Sequence, residues 1–304
     1  MQDSSFAYHV PVLYNEVIHA LNIKPNGVYV DCTFGGGGHA KGILEKLNAD
    51  GRLIAFDQDA DAKKNIPDDE RLIFVPHNFR HLQRFLKLHK YEKVNAVLAD
   101  LGVSSFQFNE AARGFSTRYN GPLDMRMDKR TQKTAAEILM HYSEVQLHKL
   151  FEQYGEVSNS KTLARHITQQ RNIIPLKDIE SFKLMLQPVV KGNPNKYFAQ
   201  VFQALRIEVN DEMGALKEML NQLPEVLLPH ARAAIITFHS IEDRIVKNFF
   251  KQAGTHEDEN NPFSTKQREP AFNILYKKPV TPAEEEIKNN SRARSAKLRV
   301  AEKI

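Results

Sequence analysis

The sequence predicts an α/β fold in which helices cover a mostly parallel sheet, and three observations support this prediction. First, a β-branched run at 28–30 ends in Asp31 and is followed by four glycines at 35–38 and a helical pattern, which indicates a strand, a tight turn and a helix. Second, further strands alternate with helices as far as Asp100, which is typical of βαβ units. Third, Gly37, Asp57, Phe79 and Asp100 each come at or just after the end of a predicted strand, so we expect them along one edge of the sheet, where such folds bind ligands.

The composition is typical of a soluble globular protein. The chain has 304 residues, enough for one large or two ordinary domains, with 41% hydrophobic and 26% charged residues, as in soluble globular proteins. Its longest apolar runs are too short to span a membrane, and residues 1–7 lack a signal-peptide pattern. The single cysteine, Cys32, excludes an internal disulfide or a cysteine-based zinc site, and we expect it to be buried in the first strand. These features favour the cytoplasm.

The elements before residue 101 can be assigned in order. Leu13, Val17 and Leu21 recur at helical spacing and predict a helix ahead of the first strand. The second strand is predicted at 53–57, a helix at 60–66 ending before Pro67, the third strand at 72–75, a helix at 82–88 and the fourth strand at 94–99. The loop at 77–80, which contains Phe79, falls at the carboxyl edge of the sheet.

The glycine turn does not by itself identify the ligand that it binds. The pattern Gly35-x-Gly37-x-x-Ala40 satisfies a loose dinucleotide fingerprint, and Asp57 follows at the distance where an acid binds ribose hydroxyls. S-adenosylmethionine suits the same turn. It carries a cationic sulfur and no pyrophosphate, so it has less need of a helix N-terminus as an anion site. The turn alone therefore does not distinguish NAD from S-adenosylmethionine.

The pattern changes after residue 111. From 112 to 209 we find no convincing strand, and helices are predicted at 135–139, 145–151, 160–171 and 179–190. Basic residues in this part are expected either on a solvated helix face or on a surface that meets phosphate, and the net charge of +5 suits a polyanion partner without establishing one. The predicted domains are 1–111 and 210–304, which share the sheet, and 112–209, an inserted helical domain.

The α/β pattern then resumes. A helix is predicted from 198 to about 220, followed by a buried fifth strand at 233–238 that ends at His239 and by a helix at 241–250. The segment 254–270 is polar. Two further strands, at 272–276 and 297–301, are expected to form an antiparallel edge of the sheet, with Arg292 and Arg294 between them.

Six stretches together resemble one known family. They are GGH at 37–39, DLGVSS at 100–105, RGF at 113–115, GPLDMRMD at 121–128, FHSIEDR at 238–244 and NSRARS at 290–295. In this order they are similar to the bacterial ribosomal small-subunit RNA cytosine-N4 methyltransferases, over residues 8–304. The resemblance implies a class I, Rossmann-like methyltransferase sheet with an inserted all-helical domain. It also implies S-adenosylmethionine as methyl donor and, as acceptor, the N4 amine of a cytidine in the decoding region of 16S ribosomal RNA.

The resemblance also implies roles for individual residues. Position by position, the expected cofactor-binding residues are Gly37, Gly38, His39, Asp57, Phe79, Asp100 and Gln107. No metal site is expected. Two departures from the family pattern are Phe106, where many members have proline, and the stretch 156–160, which lies in the insertion.

The catalytic base is not identified by the sequence. The amine of cytosine is a poor nucleophile because its lone pair is conjugated with the ring, so a nearby acceptor helps the reaction and a base takes the proton. DNA amino-methyltransferases place an acid or serine before Pro-Pro-aromatic at this point, whereas this chain keeps only the acid, Asp100. Asp100 and His239 are the two candidates by position, and a structural role at a strand end competes for His239.

Two alternative functions remain at this stage. One is an NAD-dependent oxidoreductase that uses the same glycine turn, and the other is a non-catalytic RNA-binding assembly factor; DNA as substrate is a weaker variant. The expected partner is 16S ribosomal RNA or the small ribosomal subunit, with no membrane. We expect Arg292, Arg294 and the basic helices of the insertion to bind RNA phosphates. The sequence leaves the oligomeric state open between monomer and homodimer.

Overall fold

The computed structural model describes residues 11–252 and 270–304. These residues form two compact units. One contains the sheet and comprises the described residues up to Gly102 and from Ala215 onward, and the other is Val103–Gly214, against a predicted insertion of 112–209. The predicted polar segment 254–270 lies, except for Pro270, outside the described residues.

The first unit is built on a sheet that the described residues show with seven strands. The strands are β1 Val28–Asp31, β2 Arg52–Phe56, β3 Leu72–Val75, β4 Val94–Asp100, β5 Leu227–Thr237, β6 Phe272–Ile274 and β7 Lys297–Lys303. Their order is β3-β2-β1-β4-β5-β7-β6. Strands β1 to β5 pair in parallel, and β7 pairs antiparallel with both β5 and β6. The predicted class I methyltransferase sheet and its antiparallel edge are therefore confirmed.

The described residues also form twelve α-helices. They are α1 Tyr14–Ala20, α2 Gly38–Leu44, α3 Leu82–Leu88, α4 Ser105–Asn109, α5 Ala135–His141, α6 Glu144–Gln153, α7 Ser160–Gln170, α8 Ile179–Leu186, α9 Pro194–Asn210, α10 Glu212–Val226, α11 Ser240–Gln252 and α12 Glu284–Asn289. Within 11–252 and 270–304, no helix has the length and hydropathy needed to cross a bilayer.

The sheet lies between two apolar layers, which explains why its strands are almost continuously hydrophobic. In β1, Val30 contributes to one layer and Tyr29 to the other, and in β2 Ile54 and Leu53 divide in the same way. The alternation follows from the two-residue period of a strand. Cys32 continues the Val30 layer as a buried free thiol, as expected.

Two predicted helices differ in the structure. Residues Ala60–Asn65 form a 3₁₀ helix. The Asp59 side chain accepts a hydrogen bond from the Asp61 amide at its start, and Ile66 is extended at its end, because the residue before a proline avoids the helical region. The single helix predicted at 198–220 is also wrong, since α9 ends at Asn210 and α10 starts at Glu212.

The break between α9 and α10 has a local cause. Asp211 adopts a left-handed conformation, with φ 48° and ψ 45°. The guanidinium of Arg206 in α9 bridges the break and binds both oxygens of Glu212 at 2.8 and 3.0 Å. Hydrophobic spacing continues through this corner, which is why periodicity alone joins the two helices.

The second unit has its own apolar core, formed by α5 to α9 and the segment that precedes α5. The GPLDMRMD stretch contributes a group of polar interactions to this unit. Asp124 and Arg126 form a bidentate ion pair at 2.7 and 2.8 Å. The buried Arg113 side chain donates to the carbonyl oxygens of Arg126 and Met127 at 3.0 and 3.2 Å. These bonds therefore stabilise the backbone conformation of the GPLDMRMD stretch.

Asn210 at the end of α9 completes this arrangement. Its Nδ2 donates to the carbonyl of Met125 at 2.8 Å, and its Oδ1 accepts from the amide of Met127 at 2.7 Å. Met125 is fully buried and has a positive φ of 61°, a conformation that non-glycine residues rarely adopt. The paired bonds from one amide side chain stabilise that conformation.

We predict that Asn210→Ala lowers the free energy of unfolding by about 2–4 kcal/mol, because two buried backbone groups lose their partners. Urea unfolding followed by circular dichroism measures the change. The exposed Asn221 provides the control, since its replacement by alanine leaves the unfolding midpoint close to that of the unsubstituted protein. A midpoint for Asn210→Ala that matches this control would contradict the role of Asn210.

Candidate active site

The strand pairing brings the acids that end β1 and β4 to one edge of the sheet. Asp31, the last residue of β1, is in register with Ala55 of β2 and with Leu98 of β4. Asp100, the last residue of β4, is in register with Ile236 of β5. A hydrogen bond also links the end of β4 to the segment after β1, since the Asp100 amide donates to Oγ1 of Thr33 at 2.6 Å.

Asp57 holds the glycine turn against this edge. Its Oδ2 accepts from the amide of Gly35 at 2.8 Å, and its Oδ1 accepts from the amide of Asp59 at 2.8 Å. Asn65 donates from the other side to the Gly35 carbonyl at 2.9 Å. A carboxylate has about four acceptor positions, so the same group can bind the turn and ribose hydroxyls together.

Different positions of the turn require glycine for different reasons. Gly37 precedes α2 with a φ of 75°, which favours glycine. At Gly38 a Cβ would collide with Pro11, so packing alone requires glycine there. At Gly36 a Cβ would meet nothing within 4 Å. Of these three positions, Gly36 is the one with open space, and the sequence does not distinguish it from its neighbours.

His39 is buried and has a defined tautomer. Its Nε2 lies 3.1 Å from the carbonyl oxygen of Val12, which can only accept a hydrogen bond, so Nε2 carries the proton. Its Nδ1 lies 3.8 Å from Oδ2 of Asp100. Burial lowers the pKa of His39 to about 4, although the bond to Val12 opposes this shift. The ring is therefore neutral at physiological pH, with the lone pair of Nδ1 facing Asp100.

Asp100 combines burial with a concentration of negative charge. Its Oδ1 is buried and has no hydrogen-bond partner among the described residues, while about a quarter of its side chain is exposed, 24%. Burial, and then the nearby Asp31 and Glu242, raise the pKa of Asp100 to about 8. Burial is likewise the main cause that raises the pKa of Asp31 to about 7, and Asp57 adds to it. A cation at this edge would relieve both carboxyl groups.

His239, the other candidate base, is tied to Glu242 on the first turn of α11. Its Nε2 lies 3.2 Å from Oε1 of Glu242, and the Glu242 amide donates to its Nδ1 at 3.4 Å. The carboxylate of Glu242 is buried and also accepts from the Phe238 amide at 2.9 Å. The structure thus gives His239 a role in closing the turn between β5 and α11.

The remaining predicted cofactor-binding residues are Phe79 and Gln107. Phe79 is half-buried in a 3₁₀ helix, Phe79–His81, and packs against the Val30 layer of the first unit. Gln107 belongs to the second unit, where it forms a capping box with Ser104 at the start of α4. The Gln107 side chain accepts from the Ser104 amide at 3.0 Å. Its role in binding a cofactor stays a prediction.

Three residues at this edge, Asp31, Thr33 and Glu242, are not predicted as site residues from the sequence. Asp31 and Glu242 contribute the charge that acts on Asp100, and Thr33 binds the backbone of Asp100. The signal for Asp31 is its position at the end of a buried strand. For Glu242, nothing in the sequence indicates that a helical glutamate is only 1% exposed.

The two arginines of NSRARS differ in exposure. Arg294 is exposed, whereas Arg292 is half-buried with a buried Nη1. They lie in a 3₁₀ helix, Ser291–Ser295, ahead of β7. Of the two, Arg294 is the one positioned to meet a phosphate from solvent. Within 11–252 and 270–304, no group of three or more His, Cys, Asp or Glu side chains has a metal-binding arrangement.

Comparison with known proteins gives a consistent match over the whole chain. The family model described as the MraW methylase family matches residues 6–304. The ribosomal RNA small subunit methyltransferase H of Bacteroides thetaiotaomicron is 48% identical over 304 residues, which is 100% of each chain. The protein of the same name from Cytophaga hutchinsonii is 47% identical over 299 residues, 97% of this chain and 99% of the relative.

Solved structures overlap more loosely. TrmN from Thermus thermophilus aligns with a TM-score of 0.43 and 12% identity, covering 96% of this chain and 48% of that one. Fibrillarin from Aeropyrum pernix, solved with natively bound S-adenosyl-L-methionine, aligns with a TM-score of 0.40 and 8% identity over 95% and 75% of the two chains. The family assignment depends on the sequence matches.

The raised carboxyl pKa values predict how stability changes with pH. Between the ordinary pKa of 3.8 and about 8, the folded protein keeps a proton on Asp100 that the unfolded chain has lost. The stabilisation from this group is therefore complete below pH 3.8 and is lost as the pH rises towards 8. We predict that Asp100→Asn removes this loss, so its stability relative to the unsubstituted protein increases steadily across that window.

Urea unfolding of donor-free protein at intervals from pH 4 to pH 8 measures this difference. The exposed Asp50 offers a matched control, since Asp50→Asn leaves the pH dependence of the unsubstituted protein in place. The same pH dependence in Asp100→Asn and Asp50→Asn would contradict a raised pKa of Asp100.

Proposed function

Since the chain belongs to the MraW methylase family, we propose that it transfers the methyl group of S-adenosylmethionine to the N4 amine of a cytidine in the decoding region of 16S ribosomal RNA. The name shared by its relatives, ribosomal RNA small subunit methyltransferase H, supports the RNA substrate. Among the structural observations, the carboxylates at the ends of β1, β2 and β4 carry the proposal. The proposed substrate places the enzyme in the cytoplasm.

The residues at this edge fit the donor by charge and by shape. S-adenosylmethionine has a positive sulfonium and a positive ammonium group, and Asp31 and Asp100 are carboxyl groups that a nearby cation stabilises as anions. Asp57 is placed to accept the ribose hydroxyls, and Phe79 offers a half-buried ring for the adenine. Open space at Gly36 lets a ligand approach the backbone of the turn.

The bound donor would supply an electrophilic methyl group, and the protein aligns the acceptor with it, because in-line displacement depends on orientation. Asp100 can accept a hydrogen bond from the exocyclic amine and draw its lone pair out of conjugation. The raised pKa of Asp100, about 8, suits a group that takes a proton near neutral pH. The Nδ1 of His239 accepts from the Glu242 amide and so closes the turn between β5 and α11, which makes Asp100 the stronger candidate for the base.

The RNA has to present the cytidine outside its base stack, because the amine must reach the sulfonium. The exposed Arg294 is placed to bind a phosphate. The same cluster of carboxyl groups argues against the alternative oxidoreductase, since a dinucleotide would bring its pyrophosphate anions to an edge that already carries Asp31, Asp57 and Asp100.

We predict that Gly36→Ala folds normally but weakens donor binding at least about tenfold, because its methyl group meets no protein atom and enters the space above the turn. Calorimetric titration with S-adenosylhomocysteine measures the affinity, and a thermal melt without ligand measures stability. Gly38→Ala is the contrasting variant, since its methyl group collides with Pro11 and lowers the melting temperature. Unchanged ligand affinity in Gly36→Ala would place the donor elsewhere.

The reaction itself is tested with labelled donor and small-subunit particles that lack the modification. We expect label in the 16S RNA, recovered as N4-methylcytidine after digestion to nucleosides, and none in large-subunit particles treated in parallel. Label in another nucleoside would overturn the assignment of the acceptor atom. An unlabelled RNA in the presence of bound donor would favour the non-catalytic assembly factor.

A further inference from the structure

The proposed function leaves open how Asp100 becomes an effective proton acceptor, and the structure addresses this through His39. We propose that His39 is a positioning residue for Asp100, whose fixed imidazole lone pair stabilises the protonated carboxyl group that forms when the acceptor amine loses its proton. This inference rests on the proposed function and adds to it a role that binding of the donor does not require.

The first step is the orientation of the ring. The bond from Nε2 to the Val12 carbonyl fixes which nitrogen carries the proton, and the side chain is 6% exposed, so water cannot supply an alternative partner freely. The Tyr14 ring lies nearly parallel to it, with an interplanar angle of 16° and centroids 6.3 Å apart. His39 therefore presents Nδ1 as an acceptor in one direction, towards Asp100.

The second step is the contact between His39 and Asp100. Two acceptors 3.8 Å apart, a separation longer than a hydrogen bond, repel each other when Asp100 is ionised. A proton on Oδ2 removes this repulsion and places a donor opposite Nδ1, and a contact that is favourable only for the neutral form of an acid favours that form. His39 thus increases the basicity of Asp100 without taking the proton itself, consistent with its lowered pKa.

The transfer step then balances. The N4 lone pair forms a bond to the methyl carbon as the bond from that carbon to sulfur breaks, and the sulfur keeps the electron pair as a neutral thioether. The amine loses one proton to the Asp100 carboxylate. The resulting Oδ2–H faces Nδ1 of His39, and the proton later passes to solvent through the exposed part of the Asp100 side chain.

The groups around Asp100 act in a common direction. From β1, Asp31 faces it, and from α11, Glu242 does; both negative charges favour protonation of Asp100. From α2, His39 is the neutral acceptor described above. Because Asp31 and Asp100 interact, they titrate as a coupled pair, and a measurement has to follow both carboxyl groups.

The variant His39→Gln isolates the proposed interaction. Glutamine keeps an N–H that can reach the Val12 carbonyl but provides no ring nitrogen at the position of Nδ1. The control is Glu286→Gln. The Glu286 carboxylate accepts from the amide of Leu13 at 2.8 Å, so the control loosens the same backbone segment and leaves the imidazole unchanged.

A carbon-13 NMR titration of the aspartate carboxyl groups in donor-free protein measures the effect directly, with Asp100→Asn assigning the signal. We expect the Asp100 midpoint to fall by about one pH unit in His39→Gln and to stay at its original value in Glu286→Gln. A midpoint in His39→Gln equal to that of the unsubstituted protein would overturn the role of His39.

Single-turnover methylation at saturating donor provides the second readout. His39→Gln should slow the reaction about tenfold and move the acid limb of its pH profile to lower pH. Because His39 is also an expected cofactor-binding residue, saturating donor keeps any change in donor affinity out of this rate. In an Asp100→Asn background the same substitution should have no further effect; independent, multiplicative losses would overturn the inference. Failure of the unsubstituted protein to methylate small-subunit RNA would instead overturn the proposed function and the transfer step, while the titration would still report on His39.

Discussion

Parallel pairing of β1 with β2 and β4 is the constraint on which the rest of the first unit depends. It forces Asp31, Asp57 and Asp100, which are far apart in sequence, to the same edge of the sheet. Once they are there, low exposure and mutual repulsion raise the pKa of Asp31 and of Asp100. The edge becomes a place that favours a cation, which is the property expected of a site for a sulfonium donor.

Some of the family motifs form the candidate site, and others stabilise the fold. GGH and the start of DLGVSS lie at the sheet edge, where they shape the turn and supply Asp100. GPLDMRMD, one of the most distinctive stretches, holds the fold of the helical unit through the Asp124–Arg126 pair and the bonds from Asn210. A motif can therefore identify a family while part of its sequence serves to hold the fold.

Much of the first unit could be predicted from the sequence, because its signals are local. Strand ends, the glycine turn and the antiparallel edge follow from hydrophobic periodicity and turn residues. The break at Asp211 could not be predicted, because hydrophobic spacing continues through it. Pro67 marks the end of the segment Ala60–Asn65 but does not reveal its 3₁₀ geometry. The site shows the same limit: the buried Glu242 and the orientation of His39 depend on neighbours distant in sequence.

A crystal structure with bound S-adenosylhomocysteine tests the central claim most directly. The account predicts the ribose hydroxyls within hydrogen-bond distance of Asp57, the adenine against the ring of Phe79 and the sulfur close to Asp100. Density for the ligand away from the carboxyl ends of β1, β2 and β4 would contradict it, since the acids at that edge would then have no part in holding the donor.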